Sequence, residues 1–190
     1  PMLNTYGAIA AVDYITAVYS AVKLMVLNLG RVAQDLLFWS AFEVGQLYVP
    51  NSLVRVSRTL TQKRDPVSLE HLRQLASQTC GRCDMVIGAL HNTPFTQISD
   101  SEGAAQAEGY AAFESAARLL DLMAALVPAC RINSERAEMT ADAACLTTAE
   151  LTETLVRESG LSLHQAQAVA GATVTSITTA GRTLHSGFDY

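Results

Sequence analysis

The segment from residue 51 to residue 65 contains the side chains that could carry chemistry. Ser57 supplies a hydroxyl group, and Arg58, Lys63 and Arg64 supply positive charge nearby. The segment has no hydrophobic period, so we expect a long loop, and long loops between packed helices are uncommon unless they have a function. Cations on such a loop suit a substrate with two negative charges. A solvated basic loop without a function is the alternative interpretation.

The cysteines offer a second possible site. Of the four cysteines, Cys80 and Cys83 have the CxxC spacing found in metal and redox sites. A single pair, without a second pair or a nearby histidine, falls short of the four ligands that zinc prefers. We therefore predict no metal site and no cofactor, and we expect both thiols to pack within a helix. A thiol or metal protein built on this pair is a further alternative.

Composition limits the class of protein. The chain has 190 residues, of which 49% are hydrophobic and 16% charged, with a formal net charge of −5. It is too apolar for a disordered segment and too acidic for a nucleic-acid partner. The apolar stretch from residue 8 to residue 29 is interrupted by Asp13 and Lys23, so we expect no membrane span.

The start of the sequence bears on its origin. Pro1 stands before Met2, so the chain either keeps a residue of a tag or is cut from a longer protein. No charged segment followed by an apolar core is visible, so we see no signal peptide and expect a cytoplasmic protein.

Heptad spacing predicts a long first helix. It runs from Asp13 to Gln46, about 50 Å at 1.5 Å per residue, and is apolar on nearly every side. Its predicted seam consists of Ile15, Val18, Val22, Met25, Leu29, Val32, Leu36 and Trp39. This length exceeds the diameter of roughly 40 Å expected for a compact chain of this size. We therefore expect an obligate homo- or hetero-oligomer, with a monomeric bundle as the alternative.

Further helices follow. The second is predicted to begin with Asp65 as N-cap and Pro66 as its first residue, and the third to end at Pro128. The inward face of the second is predicted as Leu69, Leu72, Ala76, Thr79, Cys83, Val86 and Leu90, and that of the third as Phe113, Ala116, Leu120, Met123 and Val127. Caps of the shorter helices are predicted at Asn133, Thr147, Gly160 and Ser162.

These elements predict an all-α fold. We expect an elongated helical bundle that contributes to an oligomeric helical core, followed by a small C-terminal helical appendage. The predicted domains are a central bundle over residues 1–129, which includes the loop at 51–65, and a partial helical domain over residues 130–190.

The loop also carries a family resemblance. Ser57 with Thr61-Gln-Lys-Arg-Asp-Pro66 resembles the signature loop of the aspartase/fumarase lyase superfamily, G-S-S-x-M-P-x-K-x-N-P, and the Gln before Lys63 is most similar to the argininosuccinate lyase branch. Residues 4–13 and 27–36 resemble the start and middle of the family's first central helix. His91-Asn92 and Asp100-Ser-Glu102 resemble its second substrate-facing loop. The resemblance covers essentially the whole chain and implies the central helices of a homotetrameric core.

The resemblance implies a reaction and a set of site residues. In that family a loop serine removes a proton from the carbon beside a carboxylate, and fumarate is eliminated from a succinyl-amine. It implies Ser57 as the base and Lys63 as the residue that holds the carboxylate. It implies a substrate-binding set of Gln62, Arg58, Asp65 and Asn92, and a small anionic substrate.

Several positions depart from the family pattern. Val56 stands where the family has Gly, Arg58 replaces the second Ser, and Asp65 replaces the Asn. The family builds each active site from three regions of three subunits, and this chain has only the third. We therefore expect a truncated, diverged argininosuccinate lyase-like subunit that is inactive alone and releases fumarate only if a partner chain supplies the missing N-terminal domain. The alternative is a non-catalytic helical assembly or binding subunit of the same fold.

Overall fold

A computed structural model describes residues 4–60, 62–96 and 102–182. Its helices are α1 (Thr5–Ala10), α2 (Asp13–Ser40), a 3₁₀ helix (Asn51–Leu53), α3 (Val67–Ala89), α4 (Glu102–Ala129), α5 (Ser134–Ala143), α6 (Thr148–Ser159) and α7 (Leu163–Thr179). Its two-residue strands are β1 (Leu47–Tyr48), β2 (Arg55–Val56), β3 (Arg64–Asp65) and β4 (Arg131–Ile132). The prediction of an all-α fold is confirmed.

The chain divides into two compact units, Pro1–Arg131 and Ile132–Tyr190. In the first unit α3 packs against both α2 and α4. The core between these helices consists of Val26, Ala33, Leu72, Leu75, Ala76, Ala116 and Leu119. A second cluster, beside the candidate loop, consists of Leu47, Val49, Leu69 and Leu126. This cluster joins the end of α2 and the end of α4 to the start of α3, so α3 runs antiparallel to both.

The first long helix is shorter than predicted. It ends at Ser40 rather than at Gln46, because Ala41 adopts an extended ψ of 142° and the chain turns back. The N–H of Gln46 donates to the carbonyl of Trp39 at 3.0 Å, and Gly45 takes a φ of +65° within this turn. With 28 residues, α2 is about 42 Å long.

The inward faces were predicted with mixed success. All seven predicted positions of α3 are buried or half-buried. In α4 the predicted positions Ala116 and Met123 are confirmed, since Ala116 is buried and Met123 is half-buried against the core. The other three were wrong by one position, because the further buried residues are Ala112, Ser115, Leu119 and Leu126. The residues that follow three of them, Phe113, Leu120 and Val127, are exposed. In α2 alternate members of the predicted seam, starting with Ile15, are half-buried, and the others are exposed.

Helix caps are local features, and most were predicted correctly. Asn133 caps α5, Gly160 ends α6 with a φ of +63°, and Ser162 forms the complete capping box with Gln165. Thr147 is the N-cap residue of α6, but its hydroxyl makes no capping hydrogen bond in the described structure, so that capping box was wrong.

The N-terminal helices bear on the membrane question. Thr5–Ser40 is long and apolar enough to cross a membrane by length and composition, and only 11% of its most apolar window is buried. The core helix of a helical assembly meets the same criterion. The absence of a membrane span therefore stays a prediction from the sequence.

Candidate functional site

The segment between the 3₁₀ helix and α3 is a hairpin rather than an unstructured loop. β2 and β3 pair antiparallel, with Arg55 opposite Asp65 and Val56 opposite Arg64. Residues 57–63 therefore form a seven-residue connection closed by the Val56–Arg64 pair. Ser57 is its first residue and Lys63 its last, so the hairpin brings the predicted base and the predicted carboxylate anchor to the same end of the strand pair.

One face of the hairpin is an ion cluster. Side chains alternate between the two faces of a strand, so Lys63 and Asp65 share a face, and Arg55 joins them as the cross-strand partner of Asp65. The Asp65 Oδ2 atom lies 3.3 Å from the Lys63 Nζ atom and 3.9 Å from the Arg55 Nη2 atom. Two residues of the predicted site, Lys63 and Asp65, are therefore in contact with each other.

The position of Asp65 corrects the prediction that it caps α3. Asp65 belongs to β3, and Pro66 is the N-cap residue of a helix that begins at Val67. Cross-strand pairing with Arg55 holds this backbone extended, so the aspartate side chain serves the hairpin rather than the first turn of the helix.

The opposite face of the hairpin is attached to the body of the unit by Arg64. Its Nη2 atom donates to the carbonyl oxygen of Val49 at 2.7 Å and to the Asn51 Oδ1 atom at 2.8 Å. Its guanidinium carbon lies 4.5 Å from the ring centroid of Tyr48, a cation–π arrangement. Arg64 was noted in the sequence only as one of the cations of the loop, and Tyr48 was not noted, because neither the charge nor the ring by itself indicates this contact.

Ser57 is half-buried and takes part in the turn of the connection. Its Oγ atom accepts a hydrogen bond from the N–H of Leu60 at 3.1 Å. The carbonyl of Leu60 in turn accepts the N–H of Lys63 at 2.9 Å. A backbone N–H directed at the serine oxygen stabilises negative charge that develops there. Arg58 and Gln62, the other predicted residues of this connection, are exposed.

Asn92 does not join these residues within one chain. It lies just beyond the end of α3, exposed, with a φ of +62°. The hairpin stands at the other end of the same helix, and 23 residues separate the two ends by about 35 Å. Asp100 and Ser101 of the second predicted loop lie outside the described residues.

The CxxC pair lies on the packed side of α3. Cys83 is buried and Cys80 is half-buried against the core. Burial raises the pKa of both thiols, which disfavours the thiolate that binds metals. Among the described residues, no three His, Cys, Asp or Glu side chains come together as a group that could hold a metal ion.

Comparison with known proteins identifies relatives along the whole chain. No family model matches it. "Argininosuccinate lyase 2" of Agrobacterium fabrum is 52% identical over 177 residues, which are 93% of this chain and 35% of that protein. The argininosuccinate lyase of Thermus thermophilus is 29% identical over 97% of this chain and 39% of its own length.

Solved structures show the same fold. An EDDS lyase in complex with formate matches 96% of this chain and 36% of its own, with a TM-score of 0.75 at 22% identity. A fumarate lyase:delta crystallin from Brucella melitensis matches with a TM-score of 0.74 at 19% identity, over 97% of this chain and 40% of its own.

The matches cover nearly all of this chain but only part of each relative. It spans 35% to 39% of the length of these argininosuccinate lyases, so it corresponds to part of such an enzyme. The resemblance noted in the signature loop is confirmed by relatives that match over nearly the whole chain. The chain is therefore similar over nearly its whole length to about a third of an argininosuccinate lyase, and it shares the fold of the solved lyases.

Proposed function

We propose that this chain is the loop-bearing part of a carbon–nitrogen lyase that releases fumarate from a succinyl-amine. Because the chain is about a third as long as its relatives, the activity belongs to an assembly in which the remaining regions are supplied by further polypeptide. The observation that carries the proposal is the hairpin, which places Ser57 and Lys63 at the two ends of one short connection beside the Val56–Arg64 pair.

The geometry supports different roles for these two residues in the reaction. The Ser57 oxygen, as serinate, takes the proton from the carbon beside the substrate carboxylate, and the N–H of Leu60 at 3.1 Å stabilises its negative charge beforehand. The electron pair left on carbon moves into the carboxylate, where the Lys63 ammonium balances the added charge. The carbon–nitrogen bond then breaks, and the amine leaves with a proton from an acid outside this chain.

A complete site requires a second copy or a partner chain. Asn92 and the hairpin stand about 35 Å apart at opposite ends of α3, so one chain cannot bring both to one substrate. An antiparallel neighbour would place its Asn92 end beside this chain's hairpin.

The surfaces of α2 and α4 support such an assembly. On α2 the residues Val18, Met25, Val32 and Trp39 are spaced by seven and are 37% to 46% exposed. On α4 the residues Phe113, Leu120 and Val127 have the same spacing and are 43% to 49% exposed. Apolar residues at heptad spacing are typical of helices that pack against other helices. Phe113 touches Tyr19 of the same chain, yet all seven side chains keep 37% to 49% of their surface exposed. We infer that these two stripes face neighbouring subunits.

A non-catalytic assembly subunit is the second candidate, and one contact favours it. Lys63 is already paired with Asp65, so the predicted carboxylate anchor is engaged inside the chain. Under this interpretation the apolar stripes of α2 and α4 serve assembly, and the hairpin is a structural remnant.

The mass and composition of the native complex, followed by an assay of its fumarate release from argininosuccinate, test the proposal. We expect an oligomer that contains polypeptide with the missing N-terminal regions and that releases fumarate. An intact oligomer with those regions present and no fumarate release would contradict the lyase proposal and favour the assembly subunit. A stable monomer at micromolar concentration would contradict both.

A further inference from the structure

We propose that Asp65 limits anion binding at the hairpin, as an internal carboxylate that occupies Lys63 and that an anionic ligand must displace from it. The proposal rests on the proposed function for the role of Lys63 as the carboxylate anchor. It adds that the chain regulates access to this anchor with one of its own residues.

The backbone sets this contact. Strand alternation puts Lys63 and Asp65 on one face two residues apart, and the register puts Arg55 directly across from Asp65. The Asp65 carboxylate is thus flanked by two cations, at 3.3 Å and 3.9 Å. A ligand carboxylate that approaches Lys63 from solvent therefore finds the Asp65 carboxylate already paired with the lysine.

The exposure of the three side chains distinguishes the inner member of the cluster from the outer ones. Asp65 is 23% exposed, whereas Lys63 is 55% and Arg55 is 75% exposed. The carboxylate is therefore the inner member, and the lysine is the longer, more exposed outer member, which has room to turn towards solvent. Lys63 can turn to a ligand, but Asp65 stays beside the ligand carboxylate when it does.

Two effects then weaken anion binding. The ion pair must first be broken. For side chains this exposed, the equilibrium constant between the paired and the separated state is at most about fivefold in favour of the pair. The remaining Asp65 charge then repels the bound carboxylate, which Arg55 only partly offsets. Together we expect Asp65→Asn to bind a dicarboxylate roughly three- to tenfold more tightly than the unchanged protein.

Asp84→Asn is the matched control. Asp84 Oδ1 pairs with Lys23 Nζ at 2.6 Å, between α3 and α2 and away from the hairpin. Both substitutions remove one exposed or half-exposed carboxylate and change the formal net charge of −5 by the same single unit. Any effect of overall charge on anion binding will therefore be equal in the two variants.

The experiment follows Lys63 directly. In the native complex this chain is labelled with ¹³C at the lysine Cε atoms, and the Lys63 signal is assigned through a Lys63→Arg variant. The order parameter of the Lys63 signal is measured without ligand, and the dissociation constant is then measured by titration with succinate. We expect Asp65→Asn to lower the order parameter and the dissociation constant at Lys63, and Asp84→Asn to change neither.

The possible failures are distinguishable. Succinate binding at Lys63 that is equal in all three proteins would overturn the role of Asp65 and leave the proposed lyase function standing. An increase in Lys63 mobility in Asp65→Asn without succinate binding in any protein would overturn both, because Lys63 would then be no carboxylate anchor. Equal tightening in Asp65→Asn and Asp84→Asn would assign the effect to net charge and overturn the role of Asp65.

Discussion

The Cβ atom that Gly30 lacks would lie 3.1 Å from the Cβ atom of Ala76, where α2 packs against α3. A larger side chain on α2 would force the helices apart. We expect Gly30→Leu to lower the free energy of unfolding by about 1–3 kcal/mol, as overpacking does, measured by urea denaturation. Gly81→Leu, where a Cβ would meet nothing within 4 Å, is the control and should be neutral or stabilising. Equal stability of the two variants would contradict the close helix contact.

Ser57 is the position at which the proposed chemistry is most directly tested. In the native complex, we expect Ser57→Ala to lower the kcat for fumarate release by about 10²–10⁴-fold, because the base is lost. Ser52→Ala, an exposed serine in the 3₁₀ helix of the same segment, should retain full activity. If Ser57→Ala keeps the kcat of the unchanged complex, Ser57 is not the base.

Arg64 should control the order of the hairpin. Arg64→Met removes two hydrogen bonds and the contact with Tyr48, and we expect it to lower the free energy of unfolding by about 1–2 kcal/mol. Hydrogen exchange of the amides in residues 55–65 should accelerate, while that of α7 should not change. Arg58→Met, an exposed neighbour on the connection, provides the comparison. Equal exchange rates in both variants would mean that Arg64 does not attach the hairpin.

The exposed stripe of α2 should control assembly. Val32→Glu introduces a charge into the apolar row that we assign to a neighbouring subunit, so we expect sedimentation to show smaller species while helical content by circular dichroism is retained. Ser20→Glu places the same charge on an exposed polar position of α2 and should leave the oligomer intact. Dissociation in both variants, or in neither, would contradict the assignment of the stripe.

The buried and half-buried thiols predict a dependence of the free energy of unfolding on pH. Burial raises the pKa of Cys80, Cys83 and Cys130 above the ordinary value of 9.0. The folded chain therefore holds these protons more tightly than the unfolded chain, so this contribution is complete below pH 9 and is lost as the pH rises beyond it. Urea denaturation under reducing conditions should show lower stability at pH 10 than at pH 8. Cys83→Ala should reduce that difference, and an unchanged difference would exclude a contribution from Cys83.

Most of the helical framework was predictable from sequence because its signals are local. The capping box of Ser162 and Gln165 and the left-handed Gly160 depend on residues a few positions apart. The buried face of α3 was also predictable. This helix packs against both α2 and α4 of the same chain, so its apolar residues are the residues that become buried. The signature loop showed the resemblance to argininosuccinate lyases for the same reason, because its residues are neighbours in the chain.

The seams of α2 and α4 show the limit of such patterns. Val32 and Leu120 lie on apolar heptads, from which the sequence predicts that these faces pack against another helix, and both side chains are exposed in the single chain. A period cannot show whether the packing partner belongs to the same chain. Only the folded unit shows that α3 covers the adjacent faces and leaves these stripes exposed.

The same distinction between sequence and folded structure applies to the candidate site. The sequence alone determined which residue types the loop offers, including Ser57, Lys63 and the unusual Asp65. The tertiary structure decided that Asp65 pairs with Lys63 rather than capping α3, and that Asn92 stands a full helix length away. The physical reason is that strand register and helix direction arise from contacts between segments distant in the chain, which no local pattern of side chains specifies.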